Sequence, residues 1–440
     1  MDWSQIPDLA TVGLLSCALA SLAKQERTPV SGLWLTGWLL ISLHFAAFIF
    51  LSAPGKWGDL AQLVGLASLA AAGVLFMYSV VPYHEQRSNL IMLFTLLTTM
   101  TVYIAFLVEY PLYSWGLVAV SVLIGMAPLA LSLIVLSSFR HPLRWILVGM
   151  YLALSIFLLA VQRRPGNGGD LALNGLLCVV YLGCCVHFAF VYRRTTAGSL
   201  ITTVGFAAWA LVFVLGPLLS TWKPSLIIES EVWNLPKYLV AVGMILLLLE
   251  EQIDHNRFLA LHDDLTGLPN RRLFLDRLKV AIGRAERFRS TIALLVVDLN
   301  RFKEVNDTLG HHAGDEVLKT VALALEGRIR KCDTVARTGG DEFSIILEET
   351  ADHLSAHRVA LDLQALIARP LVIANREIQI GASIGIALYP RDAADLETLC
   401  ILADRRMYIW KAGCRSLSPD GLQSGDGFNP TYAPSSTQPR

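Results

Sequence analysis

Nine apolar stretches within the first 250 residues constrain the fold more than any other feature of the chain. They cover residues 9–23, 33–53, 60–82, 89–108, 115–138, 145–161, 171–192, 198–219 and 235–250. A helix that spans a bilayer needs about 20 mostly apolar residues. The first and last stretches are short, so the pattern predicts eight or nine transmembrane helices. Residues 1–250 are therefore expected to form a polytopic α-helical membrane domain.

Composition agrees with a membrane domain joined to a second, soluble one. The 440 residues are 54% hydrophobic and 16% charged, too apolar a balance for one soluble protein. The formal net charge is zero, which gives no indication of nucleic-acid binding. The seven cysteines show neither metal-site spacing nor a disulfide framework.

Loop charges predict the orientation of the spans. With nine spans and a cytoplasmic C-terminal half, the inner loops carry seven basic residues and the outer loops five. The inner residues are Lys24, Arg27, Arg87, Arg140, Arg144, Arg193 and Arg194, and the outer ones are Lys56, Arg163, Arg164, Lys223 and Lys237. This small excess has the sign that the positive-inside rule requires. We expect the N-terminus outside.

The predicted spans contain almost no Asp, Glu, Lys or Arg, which argues against a pump or a secondary transporter. His44 and His187 are exceptions, and Cys184-Cys185 lies one turn before His187. These side chains could bind a haem or a metal. The simpler alternative is that each imidazole is hydrogen-bonded to a neighbouring helix.

A stripe of residues at helical spacing joins the two halves over 246–262. Its members are Leu246, Leu249, Ile253, Asn256 and Ala260. Such spacing favours a parallel contact between two helices, in which a core Asn can fix the register. An ordinary amphipathic linker is the alternative. If the helices pair, the stripe joins two copies of the C-terminal half.

The C-terminal half alternates between helical and strand patterns. Helices are predicted near 273–288, 314–330, 351–367 and 395–411, and strands near 291–298, 371–374 and 378–388, with a hairpin around 337–343. This order indicates an α/β sandwich with an antiparallel sheet. The Gly-, Ser- and Pro-rich residues 417–440 are expected to be a disordered tail.

Acidic residues at two points of this pattern indicate metal-assisted phosphate chemistry. In the hairpin, Gly339 and Gly340 come directly before Asp341 and Glu342, between apolar runs. Glycine tolerates positive φ and lets a ligand lie against the backbone, and carboxylates suit a hard cation that carries phosphates. Asp298 ends the apolar run 291–298. This pattern is typical of a buried central strand that places a ligating residue at its C-terminal end.

Together with the segments 263–272, 299–307, 310–316 and 403–411, these motifs resemble the GGDEF family of diguanylate cyclases over residues 261–416. The resemblance implies a nucleotidyl-cyclase or polymerase-palm-like fold. It also implies a homodimer that condenses two GTP into cyclic di-GMP and two pyrophosphates at the bacterial inner membrane. The alternative is a catalytically silent domain that only binds GTP or cyclic di-GMP.

The same resemblance assigns roles to individual residues. Asp298, the carbonyl of Leu299, Asp341 and Glu342 would hold Mg²⁺ or Mn²⁺, and Asp341 would help deprotonate the 3′-hydroxyl. Other predicted substrate contacts are Asn306 and Asp315 to guanine, Lys303, Lys411 and Arg415 to phosphate, and the turn glycines Gly339 and Gly340. An amide and a carboxylate can complement guanine, although Asp315 could equally cap a helix.

A product-inhibition site is implied at Arg330 and Asp333, which form an Arg-x-x-Asp pattern before the hairpin. An Arg can bind phosphate or stack on guanine while the Asp accepts from the base edge. The alternative is a helix-end Arg followed by a turn Asp. The C-terminal residues Trp410, Gly413, Cys414 and Ser416 depart from the ending usual in the family.

Overall fold

The computed structural model describes residues 3–26, 29–80, 87–110, 114–134, 142–164, 167–192, 196–223, 225, 230–349, 352–373 and 376–416. The chain divides into two compact units, Met1–Asp254 and His255–Arg440. The predicted tail 417–440 lies outside the described residues, as do Arg27, Arg140, Arg193 and Arg194 from the loop-charge comparison.

The first unit is helical throughout its described part. After a short 3₁₀ turn at Trp3–Gln5, its helices are α1 (Ile6–Glu26), α2 (Pro29–Phe48), α3 (Lys56–Ser79), α4 (Arg87–Glu109), α5 (Trp115–Ile134), α6 (Pro142–Val161), α7 (Gly168–Val191), α8 (Ala197–Trp222) and α9 (Ser230–Leu261). Eight of them are long and apolar enough to cross a membrane, and the described apolar part of α6, Trp145–Val161, is shorter. The unit therefore fits a membrane region.

Both histidines of the spans make backbone hydrogen bonds. Nδ1 of His44 lies 2.9 Å from the carbonyl oxygen of Gly65 on α3, and Nδ1 of His187 lies 2.9 Å from that of Gly183 in its own helix. Among the described residues, no three His, Cys, Asp or Glu side chains are grouped to hold a metal. His44 therefore contacts a neighbouring helix, as the simpler interpretation expects, whereas the partner of His187 lies in its own helix.

Two charged residues are buried inside the helix bundle. Asp8 and Lys237 are only 2% and 8% exposed. Asp8 lies in the first turns of α1. Lys237 was counted among the outer-loop charges although it falls within the apolar stretch 235–250; this was wrong, because it belongs to α9, which begins at Ser230.

The second unit is an α/β fold, as predicted. Its helices are α10 (Arg271–Phe288), α11 (Phe302–Leu309), α12 (His311–Arg328), α13 (His353–Ile367) and α14 (Leu396–Ser416). Its strands are β1 (Ile292–Asn300), β2 (Thr334–Arg337), β3 (Glu342–Leu347), β4 (Leu371–Ile373), β5 (Arg376–Ile378) and β6 (Gly381–Tyr389). A four-stranded antiparallel sheet has the order β2-β3-β1-β6, and β4 pairs separately with β5.

Two local predictions are corrected. The strand expected at 378–388 is divided into β5 and β6. The segment after β1 contains a separate helix, α11, and α12 begins at His311 rather than at Gly314. Gly310 separates these two helices with a φ of 85°, a conformation that favours glycine.

The period-two alternation of the strands gives the sheet two covered faces. Alternate β1 residues such as Leu295 and Val297 pack with α11, α12 and α13, whereas Leu294 and Val296 pack with α10 and α14. Asp298 continues the second set, so its side chain lies on the α14 face.

A close contact holds α14 against the sheet. A Cβ at Gly385 of β6 would lie 2.0 Å from the carbonyl oxygen of Ala403 and 2.3 Å from the amide nitrogen of Met407. Only glycine leaves room for this approach. The contact fixes the helix that carries Lys411 beside the end of β1.

Candidate active site

Asp298 and Glu342 are cross-strand partners at the hairpin end of β1 and β3. Such partners project to the same face of a sheet, with Cβ atoms about 4.5–5.5 Å apart. Asp298 is 5% exposed and Glu342 is partly buried. The backbone amide of Leu299 donates to the carbonyl of Asp341 at 3.2 Å, which places the third predicted acid at the same corner.

Lys411 contacts this corner from α14. Its Nζ lies 2.6 Å from Oδ1 of Asp298, and the side chains are 26% and 7% exposed. The sequence predicted a phosphate contact for Lys411. The structure shows that it also offsets the charge of a buried carboxylate.

The electrostatics of Glu342 show how much negative charge the site collects. Burial raises the pKa of Glu342, the carboxylates of Asp298, Asp404 and Asp341 raise it further, and Lys411 lowers it. Asp404 had no predicted role. Its position seven residues before Lys411 puts it on the same helical face, and this spacing is the signal that could have identified it.

The oxygen-rich site fits a hard divalent cation. Four carboxylates and one lysine leave an excess of negative charge, which a bound divalent cation would reduce. Among the described residues, no three His, Cys, Asp or Glu side chains are grouped closely enough to hold a metal ion by themselves. Mg²⁺ does not require such a group, because it usually takes one or two carboxylates and completes its coordination shell with water and substrate phosphate.

The two turn glycines differ in how crowded their surroundings are. Neither has a positive φ; among the described glycines only Gly55, Gly267 and Gly310 do. A Cβ at Gly339 would lie 2.8 Å from Oε2 of Glu342, whereas one at Gly340 would meet no atom within 4 Å. Gly339 therefore makes room for the Glu342 side chain, and Gly340 leaves open space at the turn.

Arg337 holds the hairpin to the segment that follows α9, a contact that no sequence pattern predicted. Its Nη1 donates to Oδ1 and Oδ2 of Asp263 at 2.9 and 3.1 Å, and its Nε and Nη2 donate to the carbonyl of Gly340 at 3.1 and 2.7 Å. Burial alone would raise the pKa of Asp263, but hydrogen bonds from Thr266 and Arg337 lower it below its ordinary value.

The predicted guanine-reading residues lie on adjacent helices. Asn306 belongs to α11. Its Oδ1 packs against Gly314 of α12 so closely that a Cβ at Gly314 would lie 1.9 Å from this oxygen. Asp315 is the next residue of α12 after Gly314. Oδ1 of Asn306 is buried and has no hydrogen-bond partner within the described part of the chain. Helix capping by Asp315 is excluded, because the N-cap of α12 is Gly310.

The other predicted phosphate contacts, Lys303 and Arg415, belong to α11 and α14. Lys303 is exposed. The side chain of Arg415 lies outside the described residues.

Asp333 has structural partners that its sequence neighbourhood did not reveal. Its Oδ2 accepts the backbone N–H of Arg330 at 3.1 Å, and its Oδ1 accepts that of Glu348 at 3.0 Å. Arg330 itself is exposed. The carboxylate therefore fastens the turn before β2, while the guanidinium is accessible.

Comparison with known proteins identifies the second unit. Residues 260–416 match the profile of the family described as "Diguanylate cyclase, GGDEF domain". These residues are a GGDEF domain. This finding confirms the resemblance on which the residue roles were assigned.

Relatives with this domain include two proteins from Pseudomonas aeruginosa PAO1. The bifunctional diguanylate cyclase/cyclic di-GMP phosphodiesterase MucR is 48% identical over 150 residues, which are 34% of this chain and 22% of MucR. The diguanylate cyclase TpbB is 43% identical over 155 residues, 35% of this chain and 36% of TpbB. The chain thus spans little more than a third of these relatives at most.

Solved structures of GGDEF domains are also similar. The GGDEF domain of TpbB (or YfiN) from P. aeruginosa is 42% identical, with a TM-score of 0.34, and the match covers 34% of this chain and 89% of that one. A sensory box/GGDEF protein from Caulobacter crescentus is 37% identical, with a TM-score of 0.34 and coverage of 35% and 99%.

Proposed function

We propose that this chain is a membrane-bound diguanylate cyclase, which condenses two GTP into cyclic di-GMP and two pyrophosphates. The observation that carries the proposal is the cross-strand pair of Asp298 and Glu342, beside Asp341, at the hairpin of a GGDEF domain. TpbB, a relative in this domain, bears the name diguanylate cyclase.

In the proposed reaction, the carboxylates of Asp298, Asp341 and Glu342 and the carbonyl of Leu299 would hold Mg²⁺ or Mn²⁺. A bound ion would supply positive charge to the triphosphate. Asp341 helps deprotonate the attacking 3′-hydroxyl. Lys411, whose Nζ lies 2.6 Å from Oδ1 of Asp298, is a proposed contact of the triphosphate.

Guanine selection is assigned to Asn306 and Asp315. The buried Oδ1 of Asn306 can accept from a guanine N–H, which adenine does not offer at the same position. Lys303 and Arg415 are proposed phosphate contacts. The turn at Gly339 and Gly340 is the proposed surface for the nucleotide.

A homodimer is required, because each GGDEF domain would hold one GTP and each 3′-hydroxyl attacks the α-phosphate bound by the partner. The stripe on α9 is a candidate for part of the dimer contact, since Leu249 and Ile253 are 36% and 49% exposed. Proximity within the dimer would supply much of the rate.

The proposed location is the bacterial inner membrane with the GGDEF domain in the cytoplasm. Eight apolar helices support membrane insertion, and the charge bias of the loops supports this orientation. The proposed organisation is a membrane domain over 1–250, a signalling helix over 246–262, a GGDEF domain over 261–416 and a tail over 417–440. Feedback by cyclic di-GMP is assigned to Arg330 and Asp333.

The function is tested by incubating the purified full chain with GTP and Mg²⁺ and identifying the products by mass. Cyclic di-GMP and pyrophosphate in a 1:2 ratio, the ratio that the reaction requires, support the proposal. Binding of GTP or cyclic di-GMP without turnover would instead identify a receptor.

A further inference from the structure

Four polar side chains meet inside the membrane unit, between α1 and α9. Asn234 Nδ2 donates to Asp8 Oδ2 at 2.6 Å, the Tyr238 hydroxyl donates to Asp8 Oδ1, and Lys237 Nζ donates to Asn234 Oδ1. Asp8, Asn234 and Lys237 are only 2%, 7% and 8% exposed. We call these four residues the α1–α9 polar cluster.

The ammonium group of Lys237 also contacts two aromatic rings. It lies 4.8 Å from the ring centroid of Phe45 on α2 and 5.9 Å from that of Trp209 on α8. These are cation–π distances. The cluster therefore connects α9 to α1 through Asp8, and to α2 and α8 through Lys237.

Buried charges are costly within membrane-spanning helices and commonly mark functional positions. A buried ionic group adds little stability over an apolar replacement, but loss of one partner leaves the other uncompensated. Such a cluster favours one arrangement of its helices and penalises arrangements that separate its members.

Pro236 lies within α9, between Asn234 and Lys237. Proline removes a backbone hydrogen bond from a helix interior, and such positions are where helices bend. The side chains of the polar cluster surround this weakened turn. These side-chain contacts tie the first turns of α9 to α1.

The other end of α9 leads directly to the catalytic hairpin. The helix continues to Leu261, two residues before Asp263, which binds Arg337 and through it the carbonyl of Gly340. We propose that the α1–α9 polar cluster regulates the GGDEF domain. The intact cluster holds α9 in one position, and its disruption shifts α9 and changes the rate of product formation. This inference rests on the proposed cyclase function.

The test compares substitutions that change polarity with little change in size. Asp8→Asn and Lys237→Met each remove one charge, the double variant removes both, and Tyr238→Phe removes only a hydroxyl. Asp170→Asn and Lys223→Met are matched controls, because both residues are exposed in the same unit. The full chains are purified in detergent, and melting temperature and cyclic di-GMP formation are measured for each.

We expect each charge variant to melt at least about 2–4 °C below the controls, and the double variant to recover part of this loss. The rate should change by about 2- to 30-fold, a usual range for coupling between distant sites, with a smaller change in Tyr238→Phe. Lower melting temperatures with an unchanged rate would show a purely structural cluster and overturn the proposal. Melting temperatures and rates equal to those of the controls would overturn it as well.

A failure of the proposed function is distinguishable from a failure of this inference. If the wild type and both controls make no product, the cyclase function fails and the regulatory inference falls with it. If they make product and the cluster variants make it at the same rate, only the inference fails.

Discussion

The guanidinium of Arg337 lies 2.9 Å from the carboxylate of Asp263 and also binds the carbonyl of Gly340. One side chain thereby joins the segment after α9 to the turn that carries Asp341 and Glu342. Both partners are partly buried, at 13% and 24% side-chain exposure, so solvent screens the pair less than it would a surface ion pair. This contact helps to position the turn that carries the proposed catalytic acids.

Replacement of Arg337 by Ala should therefore affect activity more than folding. Loss of hydrogen bonds to a charged group is expected to cost about 1.5–3 kcal/mol of unfolding free energy. Displacement of the turn should lower turnover by about 100-fold, as small misplacements of reacting groups do. Urea unfolding and initial rates measure the two effects. Lys279→Ala, a charge removal at an exposed residue of α10, is the control; turnover equal to that control would contradict the role of Arg337.

Glu342→Gln should raise the melting temperature at neutral pH when no divalent cation is present. The folded-state pKa of Glu342 is raised, first by burial and then by Asp298, Asp404 and Asp341. Ionisation therefore costs stability above that pKa, and the cost disappears as the pH falls through it. Melting curves between neutral pH and about pH 4, near the ordinary pKa of Glu, should show the two proteins converging.

The same variant tests cation binding without an activity assay. Mg²⁺ should stabilise the wild type, because a ligand that binds the folded state raises its stability. Glu342→Gln should lose most of this increase. An equal increase in both proteins would place the cation elsewhere, and a variant less stable than the wild type without the cation would contradict the electrostatic account.

Gly385→Ala should displace α14 from the sheet. The added Cβ would lie 2.0 Å from a backbone oxygen, and such overpacking typically costs about 1–3 kcal/mol. We expect reduced stability and turnover, because α14 carries Lys411 to Asp298. Gly283→Ala is the matched control, since a Cβ at that position of α10 meets no atom within 4 Å. Gly283→Ala should raise the free energy of unfolding by about 0.5–1 kcal/mol, because alanine is favoured over glycine within a helix. Equal stability of the two variants would contradict the close contact.

Arg330→Ala should retain turnover and bind cyclic di-GMP at least about tenfold more weakly. A tenfold weaker affinity corresponds to a loss of about 1.4 kcal/mol of binding free energy. Lys331→Ala, the neighbouring exposed cation, should behave as the wild type. Asp333→Ala is a less selective variant, because its carboxylate holds the backbone amides of Arg330 and Glu348. Calorimetric titration with cyclic di-GMP measures the affinities. Equal affinity in Arg330→Ala and the wild type would mean that the product does not bind Arg330.

The sequence predicted the elements that local patterns determine. The apolar run of β1 and the Gly-Gly turn predicted strands next to acidic residues, and the antiparallel sheet brings Asp298 opposite Glu342. Helix α11 was not predicted, because its eight residues leave little room for an apolar repeat. Strands β5 and β6 were merged because an apolar residue, Ile380, lies in the short gap between them.

Tertiary contacts between distant residues explain most of what the sequence did not reveal. Asp263 and Arg337 are 74 positions apart, and Asp8 and Asn234 are 226 apart. Neither pair has a local periodic signal. Neither turn glycine has a positive φ, and Gly339 instead leaves room for the side chain of Glu342, a contact that depends on the folded hairpin.

The proposed reaction is a metal-dependent condensation of GTP at the acidic corner of the sheet. It is tested by the rate at which the full chain forms cyclic di-GMP from GTP in the presence of Mg²⁺. The wild type is compared with Asp341→Ala, Glu342→Ala and Glu326→Ala, an exposed acid of α12 that serves as the control. We expect product from the wild type and the control, no product after chelation of the cation, and at least about 100-fold less product from the two hairpin variants. Wild-type rates from both hairpin variants would mean that these acids do not form the active site.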